Sequence, residues 1–213
     1  FSIKNGKVYL AKIGLIEIVW SRELPSEASS VTVIKDAADR YFVSFVVEVN
    51  PILLLPDNGQ SVGIDLGITD FASFSTGEKV KAPKPLKKNL RKLKKAQRKL
   101  ARKVKGSKRR ERARKKVAKI HAKISDVRKD FLHKLSTRII RENQTIVLED
   151  LAVSNMVKNR KLSRAISDLG WRSFRTMLKA KSAMYGRDFR VISQWEPTSQ
   201  RCSCCGEIGG KKE

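Results

Sequence analysis

The spacing of hydrophobic positions changes several times along the chain. From Tyr41 to Val49, the residues Tyr41, Val43, Phe45, Val47 and Val49 alternate with Phe42, Ser44, Val46 and Glu48, a period of two that predicts a strand. Lys7 to Ala11, Ile16 to Trp20 and Val31 to Ile34 are further β-rich runs separated by turn residues, so a small antiparallel sheet or open barrel fits this region. Such a barrel is expected to serve as a structural platform, with nothing in it catalytic; the alternative is binding of RNA or DNA, for which it carries no residue signature. Pro51 to Gln60, with its Asp57-Asn58-Gly59 turn, reads as a linker.

Ser61 to Phe71 follows as a short apolar strand, with Val62, Ile64 and Leu66 directed to a core and Gly63 and Gly67 permitting close backbone packing. Asp65 stands inside it, where burial of an unpaired carboxylate costs several kcal/mol unless a metal, a cation or hydrogen bonds compensate. Phe71 to Ser75, the Thr76-Gly77 turn and Lys79-Val80 continue as an antiparallel meander, which leaves Asp65 on a central strand.

From there the period becomes helical. Leu86, Leu90, Leu93, Gln97 and Leu100 recur every three or four residues, as do Ala113, Val117, Ile120, Ile124, Val127, Phe131, Leu135 and Ile139, with Gly106-Ser107 between the runs. The pattern predicts a helical hairpin with a narrow apolar seam. Ile146 to Leu148 is a continuous apolar run after a long helix, as in a buried parallel strand, and Glu149 closes it. Because sites assemble at the C-terminal ends of parallel strands, Asp65 and Glu149 are expected to meet in space; the alternative for Glu149 and Asp150 is a loop facing water. Ile166 to Tyr185 predicts a helix ended by Gly186, and Phe189 to Trp195 another strand of the same sheet. Asp168 and Asp188 fall on the helix and near a turn, and neither is a site candidate. His121 and His133 lack partners at ligand spacing and are read as ordinary surface or packing residues.

Charge sharpens this reading. The 213 residues carry 47 Lys and Arg against 21 Asp and Glu, a net +26. Twenty of those cations lie between Lys84 and Lys119, opposed only by Glu111. A solvated face normally mixes signs, so the hairpin is expected to grip a nucleic-acid backbone, with Lys88, Arg91, Lys95, Arg98, Arg102, Arg109, Arg112 and Lys116 as its contacts. The three cysteines lie between Cys202 and Cys205, too few for an extracellular disulfide framework. With no signal peptide and no membrane-length apolar run, a cytoplasmic setting is expected. Cys202-x-x-Cys205-Gly206 has the turn of a zinc knuckle and supplies two of four ligands; a redox pair would need a thioredoxin-like surrounding that is missing.

Taken together, G-I-D-L-G at Gly63 to Gly67, the basic hairpin, R-K-D-F-L-H-K-L-S at Arg128 to Ser136, I-V-L-E-D-L at Ile146 to Leu151, I-S-D-L-G-W at Ile166 to Trp171 and T-S-Q-R-C-S-C-C-G at Thr198 to Gly206 resemble the TnpB family. These are transposon-encoded proteins similar to compact type V CRISPR effectors. The resemblance implies an α/β, RNase H-like (RuvC) mixed sheet with an inserted basic helical hairpin, preceded by a small all-β wedge barrel. It divides the chain into a partial wedge (oligonucleotide-binding) domain at 1–56, a RuvC-like nuclease domain at 57–197 with the hairpin at 84–142, and the first half of a zinc-knuckle (target nucleic-acid-binding) module at 198–213. Asp65 and Glu149 would be catalytic carboxylates holding two Mg²⁺ ions, and Cys202 and Cys205 half of a structural Zn²⁺ site.

The partners implied are a guide RNA from the transposon end and target DNA, with no membrane, in a prokaryotic cytoplasm and at the nucleoid when DNA-bound. The family's third carboxylate and second Cys-x-x-Cys are expected beyond Glu213, and both ends, Phe1 and Glu213, look like cuts. The function expected is RNA-guided DNA cleavage. A cleavage-dead RNA-guided repressor and a basic RNA-binding protein without enzymatic activity are the alternatives.

Overall fold

The computed structural model describes residues 1–49 and 54–193. The chain divides into two compact units, Phe1–Ile52 with Asn89–Ile124 and Leu53–Lys88 with Ser125–Glu213.

In the first unit, β1 (Ser2–Lys4), β2 (Lys7–Leu10) and β3 (Gly14–Glu17) form an antiparallel meander. Asn5 and Gly6, with φ of 48° and 73°, join β1 to β2; two positive φ angles give the turn whose twist matches a tight hairpin. A second hairpin pairs β4 (Ala28–Lys35) with β5 (Tyr41–Val47). The two sheets share no ladder. They meet instead through aromatic rings: Trp20 stacks on Phe45 with centroids 5.4 Å apart, Phe1 lies 6.5 Å from Phe45, and the Trp20 indole donates to the Gly6 carbonyl at 2.6 Å. The antiparallel character expected of this region is present, but among the described residues no barrel closes.

The predicted hairpin is present as α1 (Pro85–Ala101) and α2 (Lys108–Glu142). Proline opens α1, where its missing N–H costs nothing. Ser107 starts α2 by accepting the Arg110 amide at 3.1 Å, and the Arg110 guanidinium turns back to the Leu100 and Lys103 carbonyls at 3.2 and 2.9 Å. One of the twenty cations is therefore spent on closing the turn. Leu93 and Ile124 are the buried members of the seam in this unit.

The second unit holds a five-stranded mixed sheet in the order β10-β9-β6-β7-β8, built from β6 (Ser61–Asp65), β7 (Ala72–Phe74), β8 (Lys79–Val80), β9 (Thr145–Glu149) and β10 (Asp188–Ile192). β9 runs parallel to both β6 and β10, while β7 and β8 are antiparallel. One face, carrying Val62, Ile64, Phe74, Ile146 and Leu148, joins a single core with Leu132, Ile139 and Ile140 of α2 and with Phe174 and Leu178. Each such side chain contributes about 1.5–3 kcal/mol on burial. Phe71 meets Phe131 and Phe174 edge to face, each at 5.1 Å.

Beyond β9 come α3 (Val153–Met156), α4 (Ser163–Leu169) and α5 (Trp171–Tyr185). The sequence predicts a continuous helix across the last two, and the structure breaks it at Gly170. There φ is +77°, and a Cβ would come within 2.9 Å of Arg128 Cδ, so both backbone and neighbour demand glycine. Lys181 fastens α5 to α2, its ammonium donating to the His133 carbonyl and the hydroxyls of Ser136 and Thr137 at 2.9, 2.8 and 2.6 Å. Burial pushes its pKa down.

Candidate active site and nucleic-acid interface

β6 and β9 run in register from Ser61↔Thr145 to Ile64↔Leu148. Asp65 and Glu149 are the next residues on the two strands, and neighbouring strands lie about 4.8 Å apart. In a parallel pair, residues in step point to the same face. Val62, Ile64, Ile146 and Leu148 are at most 4 % exposed and point into the core, so alternation turns both carboxylates to the opposite face. The two acids that the sequence singles out, far apart in the chain, are thus brought to one edge of one sheet.

The premise of a buried Asp65 needs correction. Asp65 is exposed and Glu149 half-buried, because strand periodicity puts Asp65 on the far side from Ile64. Among the described residues neither carboxylate engages in a hydrogen bond or ion pair, which leaves their oxygens available to a ligand. Gly67 shapes the turn that follows. Its amide donates to the Phe71 carbonyl at 3.3 Å, and a Cβ there would sit 2.9 Å from the Asp70 carbonyl oxygen. Gly63 has no such constraint: its nearest neighbour, Ser75 Cβ, lies 3.6 Å from the position a Cβ would take.

The other acids nearby are committed elsewhere. Asp150 pairs with Arg175 of α5. Asp188 opens β10 opposite Thr145, at the wrong end of the sheet, and pairs with Arg190 at 2.7 Å. Asp168, 6 % exposed, accepts the Leu86 and Lys87 amides, each at 3.0 Å, and so caps the start of α1. Its structural role had no signal in the periodicity beyond an acid on a helical face. No group of three or more His, Cys, Asp or Glu that could hold a metal occurs among the described residues. Cys202 and Cys205 lie outside them. Next to Glu149 opens a cavity of about 560 Å³ that also reaches Leu66, Leu151, Val157, Trp171, Arg172 and Arg175.

All eight hairpin cations named from the sequence are exposed. Five of them, Lys95, Arg102, Arg109, Arg112 and Lys116, line a groove of about 850 Å³ between α1 and α2, together with Lys92, Lys99, Lys103, Lys119 and Lys123. Lys88, Arg91 and Arg98 are not among its lining residues. No carboxylate lines this groove. Among the described residues, no helix is long and apolar enough to cross a membrane.

The fold is of the α/β class: a mixed sheet with two carboxylates, unengaged among the described residues, at the end of adjacent strands, in a chain that also carries a densely cationic hairpin. The family model described as a probable transposase matches residues 44–160, and one described as the Cas12f1-like TNB domain matches residues 171–213. The chain belongs to the probable-transposase family, that of TnpB.

It is 50% identical over 214 residues to a "Putative RNA-guided DNA endonuclease" of Streptomyces pristinaespiralis, covering 99% of this chain and 53% of that one. It is 30% identical over 218 residues to the similarly described InsQ of Escherichia coli K12, covering 95% of this chain and 54% of that one. The chain thus spans about half the length of the curated relatives it matches. Among solved structures, a cryo-EM structure of a Cas12f1-sgRNA-target DNA complex superposes with a TM-score of 0.53 at 15% identity, covering 84% of this chain and 38% of that one. That likeness concerns the fold.

Proposed function

We propose that this chain is the part of an RNA-guided DNA endonuclease that carries two of its catalytic carboxylates, Asp65 and Glu149. The mixed sheet of the second unit is read as RNase H-like, of the RuvC type. The observation that carries this is the placement of Asp65 and Glu149 one residue past the last registered pair of two parallel strands, on the face turned away from the core. Supporting it are the family and the relatives described as RNA-guided DNA endonucleases.

The residues fit divalent magnesium. Mg²⁺ takes hard oxygen ligands and usually only one or two protein carboxylates, the rest of its shell being water and substrate phosphate. Asp65 and Glu149 offer two such carboxylates without a competing cation. When bound, two ions would supply an activated water and charge neutralisation at the scissile phosphate. Asp65 and Glu149 fix where that charge is concentrated, and without a cation their proximity is repulsive. Cys202 and Cys205 would hold half of a structural Zn²⁺ site.

The hairpin cations grip the phosphate backbone of the guide RNA or target DNA without reading bases, a role left to base pairing. Residues 1–56 are read as part of a wedge, 57–197 as the nuclease domain with the hairpin at 84–142, and 198–213 as the start of a target nucleic-acid-binding module.

The test expresses the protein from its whole gene together with RNA from the flanking transposon end and supplies plasmid bearing the matching target. Mg²⁺-dependent cutting that disappears in both Asp65→Ala and Glu149→Ala establishes the reading. Guide-dependent binding with no cutting in any form overturns it.

A further inference from the structure

Glu149 has a second neighbourhood that the carboxylate pair leaves unexplained. The cavity of about 560 Å³ beside it is lined by Leu66, Leu151 and Val157 and by Arg172 and Arg175 of α5. Its size falls within the range of sites that hold small organic ligands. Trp171, also in its lining, is 2 % exposed. Apolar side chains and two guanidinium groups beside the Glu149 carboxylate are the complement of a nucleotide: a flat base and a phosphate.

We propose that this cavity receives one nucleotide of the DNA strand being cut, immediately beside the scissile phosphate. The base lies against Leu66, Leu151 and Val157. Arg172 and Arg175 hold the flanking phosphate. Arg175 is held by Asp150, the residue after Glu149, so the phosphate clamp and the carboxylate edge are coupled through adjacent backbone positions. Such a site orients the strand rather than reads it, because an apolar wall accepts any base face. The proposal rests on Asp65 and Glu149 being the nuclease centre and extends it to substrate positioning.

The experiment uses the whole protein assembled with its guide RNA. In an Asp65→Ala background, which leaves DNA uncut, 4-thiothymidine is placed in turn at each position across the cleavage region and irradiated. The expected crosslink runs from the nucleotide beside the cut to the 148–175 segment. It is lost in Ala152→Phe, which fills the cavity. In otherwise wild-type protein, Ala152→Phe and the exposed-residue variant Arg172→Gln are expected to slow cutting by about 100-fold, the scale of a misplaced reacting group, with target Kd unchanged.

Failure of the unsubstituted complex to cut would overturn the carboxylate reading and the cavity proposal with it. Cutting that needs Asp65 but proceeds at full rate in Arg172→Gln and Ala152→Phe would overturn the cavity alone. So would a DNA crosslink to the 148–175 segment that persists unchanged in Ala152→Phe.

Discussion

Arg128 of α2 holds Asp168 of α4 by two donors, Nε to its backbone carbonyl at 2.9 Å and Nη2 to its carboxylate Oδ1 at 3.1 Å. The same carboxylate accepts the Leu86 and Lys87 amides at the start of α1, where helix N–H groups otherwise lack partners. One residue therefore joins the root of α1, the second half of α2 and the turn at Gly170. Asp168→Ala would leave Arg128 with only its Nε bond to the residue 168 carbonyl and would leave two amides unsatisfied. Each buried donor left without its acceptor costs about 1–3 kcal/mol, so thermal denaturation is expected to show a large drop. Asp168→Asn, which keeps one acceptor, is expected to lie between the two; equal stability of all three proteins would refute the role.

Gly67 lies two residues beyond Asp65, and its requirement is steric. With an added Cβ 2.9 Å from the Asp70 carbonyl, Gly67→Ala must shift backbone, at a cost of about 1–3 kcal/mol. Gly63→Ala meets only ordinary contact with Ser75 and is expected to be far milder. Melting temperatures of the two variants decide this, and a Gly63→Ala loss as large as that of Gly67→Ala would contradict it.

For the carboxylate pair the expectation is inverted. Asp65 is exposed and Glu149 half-buried, with no protein partner among the described residues. Asp65→Asn and Glu149→Gln should therefore change stability by no more than about 0.5 kcal/mol, the surface range, or raise it slightly by relieving repulsion. Adding Mg²⁺ is expected to raise the melting temperature of the unsubstituted protein by binding the folded form, and to do so far less in the variants. A magnesium response of equal size in all three would place the ions elsewhere.

Much of this architecture is legible in the chain itself. The run Ile146 to Leu148 announces a buried parallel strand, and the meander from Ser61 to Val80 announces a central β6, because burial on one or both faces leaves its period in the sequence. Asp65 and Glu149 can be paired from the rule that sites gather at strand ends. What escapes depends on contacts between distant residues. The exposure of Asp65 follows from which face of β6 meets α2 and α5, and the break at Gly170 from the approach of Arg128. The use of Asp168 as a cap for α1 is likewise invisible in local periodicity. The Asn5-Gly6 turn is a local signal, yet the strands flanking it are only three and four residues long, too short to show a period around it.

The hairpin groove makes a distinction that charge counting cannot. Lys95, Arg102, Arg109, Arg112 and Lys116 line it, whereas Lys88, Arg91 and Arg98 do not. If the groove holds the phosphate chain, neutralising Arg109, Arg112 and Lys116 together should lower the slope of log K against log salt by about one for each phosphate left without its cation. The triple replacement of Lys88, Arg91 and Arg98 should lower it less. Equal slopes for the two triple variants would mean that the whole cationic surface acts without a preferred track.

Acid should act first on the turn of the β4–β5 hairpin. Asp39 takes a hydrogen bond from Lys115 of α2 at 2.8 Å and an ion pair with Lys35 at 2.9 Å, and these two ammonium groups hold its pKa down at about 2 against an ordinary 3.8. A carboxylate with a depressed folded pKa binds protons more weakly folded than unfolded. Its contribution to stability is thus complete above about pH 4 and is lost as the pH falls through about 2. Asp39 also has φ of +69°, a conformation asparagine tolerates, so Asp39→Asn removes the charge while keeping the turn. The melting temperature of the unsubstituted protein should exceed that of Asp39→Asn by a constant margin from pH 7 to pH 5, and the margin should close by pH 2. Amide exchange in β4, β5 and the first turns of α2 should accelerate over the same interval. Because Asp39 is solvent-exposed, salt should also shrink the margin. A margin that persists unchanged at pH 2 would show that Asp39 acts through its backbone conformation rather than through its charge.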